Sequence, residues 1–402
     1  MENMSLENKS STLLLCPSVG IWQIKGGLFF DRKFHDGVLA YVNKWPGEVK
    51  LAIRTEDTPP PAFGLVPFCE ANFPAKVTVL DSEETVDSKH LAGVDIVLAS
   101  GDEYRNLHIS KICKQQNIQC IYTIENIFET RIQIVSLSHD SLLKRLKSSV
   151  WLLLMERKRR QAFRRANGLQ ANGVAAYDQY SPLVPNTLLY FDTRSTETSL
   201  ITDNVLSKRL DYLDKEEPLR LAFSGRLIGI KGADHLIDVA YILKTRQVPF
   251  AFDIFGAGDL VHTMQEKIDE YELGGKVIMH GNVDFSLELI PFIKSSVDMC
   301  VVCHRQSDPS CTYLETYACG VPIAGYANRA HQGILDRSDV GWSVPLGDVD
   351  ALADLITRLD HQRDEIKVKS LNAALFSHAH TFENTFGRRI DHCLKTLKGN
   401  FS

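Results

Sequence analysis

The sequence predicts an α/β fold, two consecutive doubly wound, Rossmann-like domains facing a central cleft. Length, alternation and one polar segment carry that expectation. A chain of 402 residues is longer than one core usually grows, so two domains of roughly 150 to 200 residues are expected. Short apolar runs alternate with helix-periodic segments in both halves, the pattern of a parallel sheet covered on both faces. Between the halves, residues 195–217 (STETSLITDNVLSKRLDYLDKEE) are polar, charged and weakly patterned, and read as a linker. The expected domains are 1–200 and 201–375, with a terminal helix over 376–402 that has a return to the first domain open to it.

In the first half the strand-like runs are STLLLCPSV (11–19), VKLAIR (49–54), AKVTVLD (75–81), DIVLAS (95–100) and IQCIYTI (118–124). FFDRKFHDGVLAYVNKW, after the first run, has helical periodicity. The second series is LRLAFSG (219–225), FAFDIFG (250–256), KVIMHG (276–281), VDMCVVC (297–303) and VPIAGY (321–326). A ligand is expected where strand ends meet the cleft between the domains.

Composition narrows the function classes. Net charge is −5, with 44% apolar and 24% charged residues, which argues against nucleic acid as the main partner. No stretch approaches the ~20 apolar residues of a membrane span, and the N-terminus lacks the pattern of a signal peptide. The nine cysteines have no framework spacing, so reduced thiols in the cytoplasm are expected. Cys300 and Cys303 lie three apart in a strand-like run and should point to opposite faces, which makes a chelating pair unlikely to form. No metal site and no resident cofactor are expected.

Gly256-Ala257-Gly258 lacks the third glycine of a dinucleotide fingerprint, because Val261 stands in its place, and reads as a tight strand-to-helix turn. An NAD-dependent oxidoreductase is disfavoured on that ground. In GRLIGIKG (225–232) Gly225 permits close backbone approach, while Arg226 and Lys231 put two cations beside a strand end, a pair suited to a diphosphate; taken alone, the motif reads more readily as a solvated basic turn before a helix.

SDPSCTYLETYACGVPIAGY (307–326) supplies the second anion signal. A helix is expected with Asp308 as N-cap and Pro309 as first residue, leaving the amides of Ser310, Cys311 and Thr312 open to an anion. Glu315 shares their face one turn on, within ~10 Å of the helix start. A diphosphate at the tip and a ribose diol at the carboxylate would fit. Gly320 closes the helix and Pro322 follows.

Taken together, GRLIGIKG, FGAGD, HGNVD and DPSCTYLETYACGVPIAGY resemble the donor half of a retaining glycosyltransferase of the GT-B fold, family 4. The resemblance covers most of 218–360 and, more weakly, the whole chain. It implies that Arg226 and Lys231 bind the diphosphate of a sugar nucleotide, and that Glu315, the second glutamate of an E-x7-E motif, holds the ribose. It also implies that Gly281, Asn282 and Val283 flank the base, and that no metal is needed. Two departures stand out. Ser307 occupies the place of the first glutamate, with Asp308 beside it, a cap or a sugar ligand. The first domain has no evident counterpart of the family's histidine, since His108 and His139 show no partner. Glu125, Asn126 and Arg131 are the polar candidates there, although Glu125 and Arg131 could equally form a structural pair. Lys25-Gly26-Gly27 matches the glycine-rich loop that reaches the donor phosphate or the acceptor, and is also an ordinary loop.

Residues 141–167 carry nine Lys and Arg against one acid, Glu156, with Leu143, Leu146, Val150 and Leu154 at helical spacing. Two readings stay open: a helix on an anionic membrane, where a lipid-linked acceptor would be found, or a core-packed helix with solvated charges. The expected function is a sugar-nucleotide-dependent transferase in the cytoplasm, in bacterial surface or exopolysaccharide synthesis, with a peripheral place on the membrane's inner face following only from the first of these two readings. A catalytically silent nucleotide- or glycan-binding member of a biosynthetic complex is the rival.

Overall fold

The computed structural model describes residues 11–59, 64–136, 141–215, 217–307 and 309–399. The first sheet contains β1 (Leu13–Cys16), β2 (Ile21–Ile24), β3 (Gly27–Asp31), β4 (Val49–Glu56), β5 (Leu65–Phe68), β6 (Lys76–Leu80), β7 (Ile96–Ser100), β8 (Gln119–Ile124), β9 (Gly168–Asn172) and β10 (Thr187–Tyr190). The second contains β11 (Leu219–Ser224), β12 (Phe250–Phe255), β13 (Val277–Gly281), β14 (Met299–Val302), β15 (Ile323–Tyr326) and β16 (Gly341–Val344).

All pairs in the second sheet are parallel, in the order β13-β12-β11-β14-β15-β16. The order reverses between β11 and β14, the topological switch point that opens a crevice at the strand ends of doubly wound folds. The first sheet has a parallel body, β10-β9-β8-β7-β1-β4, with β6 beside β4. An antiparallel set, β2-β3-β5, is attached to the end of β4 through Ile21 opposite Thr55. Strands buried on both faces, such as Ile96–Ser100, explain the unbroken apolar runs in the sequence.

Three sequence expectations need correction. FFDRKF is not the start of a helix: Phe29 and Phe30 belong to β3, and the helix is Arg32–Lys44, capped by the Asp31 carboxylate on the Phe34 N–H at 2.9 Å. Lys25 and Gly26 have φ of 47° and 81°, the two positive values of a two-residue hairpin turn. Lys25 and Gly26 therefore turn a hairpin, and Gly27 opens β3. The region 195–217 is not a plain linker either, because it contains the helix Asp203–Leu213, with Leu206, Arg209 and Leu213 buried against the second domain. Near the other end of the chain, the helix Phe382–Leu397 packs on Arg32–Lys44 and on β7, β8 and β10 of the first sheet.

Cys300 and Cys303 sit in cores on opposite faces of the second sheet, and burial pushes both thiols up to about 12. Among the described residues no group of three His, Cys, Asp or Glu could hold a metal ion, and no helix is long and apolar enough to cross a membrane.

Candidate active site

The turn after β11 is held by backbone packing. A Cβ on Gly256, whose φ is 128°, would meet Gly225 O at 1.9 Å, so only glycine lets the two turns touch. Gly225 N–H donates to Phe255 O at 3.1 Å. A Cβ on Gly232 (φ 66°) would likewise meet Cys303 O, at 2.0 Å. From the end of β14, Arg305 donates to Gly229 O at 2.6 Å and to Asp234 Oδ2 at 2.7 Å. This clamp fixes the short turn Gly229–Lys231. Lys231 is buried, 7% exposed, whereas Arg226 is exposed.

His304, also past the end of β14, was missed as a site residue. It is 1% exposed, and neither ring nitrogen has a hydrogen-bond partner among the described residues. Burial, then the charges of Lys231, His331 and Arg226, hold its pKa well below the usual histidine range. A neutral imidazole thus lies near both cations. The sequence offered only a lone histidine after a strand.

The helix carrying Glu315 is Cys311–Ala318, with Ser310 at the cap position. It begins two residues later than expected, because Ser310 is extended (φ −72°, ψ 128°). Pro309 is buried and is not a first helical residue. It lies where a Cβ on Gly173 of the first domain would meet it at 2.6 Å. Asp308 lies outside the described residues. The amides of Cys311 and Thr312 open the helix without intrahelical acceptors, while Tyr313 N–H bonds Ser310 O at 3.1 Å. Ser307 is buried, and its hydroxyl accepts from the Arg329 N–H at 3.3 Å, at the start of the next helix. Gly320, φ 62°, closes the helix as expected.

Glu315 is buried in a polar setting, and Arg194 Nε donates to its Oε1 at 2.8 Å. The same guanidinium lies 3.8 Å from the centre of the Phe285 ring. Phe285 follows Gly281, Asn282 and Val283, of which Asn282 is exposed and Val283 half-buried. Arg194 thus joins the carboxylate expected at the ribose to the loop expected at the base. Nearby, Lys33 Nζ donates to Asp192 Oδ2 at 2.5 Å and to Cys311 Sγ at 3.1 Å, linking the first domain to the helix start. Burial alone would lower the Lys33 ammonium, but Asp192 and Cys311 hold it well above the usual lysine range. Burial pushes the Cys311 thiol up to about 12.

On the first-domain side a cavity of about 330 Å³ opens at the ends of β1, β7, β8 and β10. Its polar lining includes Asp31, Lys33, Asp102, Glu125 and Asp192, and Phe386 closes it from the C-terminal helix. Glu125 and Arg131 do not pair with each other. Arg131 donates to Asp102 Oδ1, whose carboxylate also accepts the Glu125 and Asn126 amides at 2.9 and 3.0 Å. Asn172 Nδ2 donates to Glu125 Oε2 at 3.2 Å. Gly26 and Gly27 do not line this cavity; the loop directly after β1, Pro17 to Val19, does. His108 bonds Val86 O through Nε2 at 2.6 Å, and His139 lies outside the described residues.

Two Rossmann-like domains with this site at their strand ends define the GT-B fold of glycosyltransferases. Residues 207–373, the stretch that holds the whole second sheet, match the family described as glycosyl transferases group 1. Among solved structures, HepE from Anabaena in complex with UDP is similar at 15% identity and a TM-score of 0.63, over 96% of this chain and 100% of that one. Sucrose-phosphate synthase from Thermosynechococcus elongatus is similar at 16% identity and 0.65, over 98% and 100%. The lipopolysaccharide outer core galactosyltransferase WaaB, apo form, is similar at 12% and 0.63, over 97% and 100%. No curated protein matches the chain in sequence. At these identities the likeness carries the fold alone.

Proposed function

We propose that the protein is a retaining glycosyltransferase that moves a sugar from a nucleoside-diphosphate sugar to a glycan or lipid-linked acceptor, without a metal ion. One observation carries the reading: Arg226 and Lys231 follow β11, and past the end of the neighbouring β14 a helix opens with the Cys311 and Thr312 amides and carries Glu315 one turn on. The diphosphate would take the cations and amides, the ribose would take Glu315, and the base would lie along Gly281 to Val283. HepE is in complex with UDP, which makes a uridine donor the first to test.

As the bond from the anomeric carbon to the diphosphate breaks, negative charge gathers on the leaving oxygens. Groups already aimed there stabilise that charge without rearranging. The acceptor hydroxyl forms the new bond from the face the diphosphate leaves, and its proton passes to a phosphate oxygen. His304, buried between the Phe223 and Tyr313 rings with neither ring nitrogen hydrogen-bonded among the described residues, would reach a sugar hydroxyl or phosphate oxygen only after a local shift. The cavity bearing Asp102 and Glu125 would receive the acceptor, whose hydroxyls suit carboxylate acceptors. The setting would be surface or exopolysaccharide synthesis.

A second reading, a silent nucleotide- or glycan-binding member of a complex, is favoured by Ser307, whose hydroxyl is engaged with the Arg329 amide. Assaying release of nucleotide from a panel of sugar nucleotides, with NMR of the product's anomeric configuration, separates the two. Turnover with retention supports the transferase. Tight donor binding without turnover for any donor and acceptor supports the silent member, and inverted product overturns retention.

A further inference from the structure

The helix Leu142–Phe163 is apolar on two opposite sides. Leu152, Met155, Ala162 and Phe163 are buried against the first domain. On the other side Leu143, Leu146, Val150 and Leu154 fall at steps of three and four, one continuous stripe. These four are 81%, 63%, 52% and 48% exposed, and no described residue buries them. The core-packed reading of this stripe is thereby overturned, since the packed face is a different one.

The rim of the stripe is cationic: Lys144, Lys147, Arg157 and Lys158 are all exposed. The single acid, Glu156, is buried, and its oxygens are taken by Arg159 at 2.8 Å and Arg160 at 2.9 Å. The patch is therefore positive on a chain whose net charge is −5.

We infer that this stripe and its basic rim dock on an anionic lipid surface, with the leucines at the acyl boundary and the lysines and arginines among the headgroups. A convex apolar line edged by cations is what an interfacial helix presents. A second copy of the same helix would set like charges against each other, and a nucleic acid would leave the leucines uncovered. The buried side of the helix gives the surface a relation to the cavity. Arg159 Nε donates to Gly101 O at 2.8 Å, next to Asp102 in the cavity lining. A lipid-linked acceptor held in that membrane would therefore be close to the proposed acceptor site. Only that last step rests on the transferase reading; the membrane contact does not.

The test uses the full chain with phosphatidylcholine vesicles, with and without phosphatidylglycerol. Two variants are compared, Leu143→Gln/Leu146→Gln/Val150→Gln and Lys144→Gln/Lys147→Gln/Arg157→Gln/Lys158→Gln. The parent should sediment with the anionic vesicles, and each variant should bind them at least about tenfold more weakly. Thermal melts and UDP titration should be unchanged in both, so a failed membrane result leaves the donor reading intact. A parent that ignores anionic vesicles, or variants that bind as the parent does, would overturn the inference. So would a parental dimer, seen by sedimentation equilibrium, that the leucine variant dissociates.

Discussion

Arg194 and Glu315 are 121 residues apart in the chain and joined at 2.8 Å. Arg194 leaves the last strand of the first domain, and Glu315 stands on the helix where the proposed donor lies. The guanidinium, stacked on Phe285, fixes one carboxylate oxygen in place. In the proposed reaction Arg194 is a positioning residue, acting on the ribose through Glu315.

Glu315→Gln and Arg194→Gln should each weaken UDP binding about tenfold, and the double variant should lose little more. A double-mutant cycle by calorimetry should return a coupling of about 1 kcal/mol. Additive losses would mean that the two residues act separately, and unchanged affinity in Glu315→Gln would remove the ribose assignment.

Lys231 is the buried cation of the pair, so its best replacement keeps the volume. Lys231→Met should lower kcat about a hundredfold, or ~3 kcal/mol, more than it raises KM. Arg226→Lys should retain part of the rate, because it keeps the charge and loses the fork. Near-parental turnover in a folded Lys231→Met protein would put the diphosphate elsewhere.

Acid should destabilise the fold through buried neutral histidines. Burial brings His331 down to about 4, below the ~6.5 of an unfolded histidine. The unfolded chain then binds the extra proton first. Stability is fully present above pH ~6.5 and declines as pH falls toward the folded value, by about 2 kcal/mol for this group at pH 5. Urea unfolding at pH 7 and 5 should show a smaller difference in His331→Gln than in the parent. An equal difference would assign the acid sensitivity to other groups.

Arg209 reaches from the segment between the domains to the far end of the donor helix. It donates to Cys319 O at 2.7 Å, to Gly320 O and to Lys294 O, and burial draws its guanidinium down to about 10. Arg209→Met should cost about 2–4 kcal/mol in chemical denaturation, since buried carbonyls lose their donor. A loss under ~0.5 kcal/mol, the range of ordinary surface changes, would mean that water replaces it.

What the sequence reveals depends on how local the cause is. The run LRLAFSG shows a buried strand by itself, and so do the other apolar runs of both halves. GLQAN does not, yet β9 is wholly buried. Its Gln170 is tolerated because the C-terminal helix accepts and donates there, through Arg389 O at 2.8 Å and Arg389 Nε at 3.0 Å. At the candidate site, Arg226, Lys231 and Glu315 could be proposed from the sequence because neighbouring residues motivate them. Arg194, Lys33 and His304 were not, because their meaning comes from partners brought close only by folding. The helix start was misread for a related reason: Pro309 is engaged by Gly173 of the other domain.

The chain passes between the domains twice, once after Asp192 and again before Phe382, and there Phe382 N–H donates to Ser195 O at 2.8 Å. On the first pass Lys294 Nζ donates to Leu200 O at 3.2 Å and Ile201 N–H to Ala318 O at 2.9 Å, so with Arg209 the chain is fastened to the second domain from Leu200 onward. A rotation of one lobe on the other would accordingly have its axis along these two tied passes. Arg194 stands on the first of these passes, so its own displacement in such a rotation would be small. The grip on Glu315 could then persist through opening and closing, while Lys33 and Cys311, on parts that swing apart, would separate.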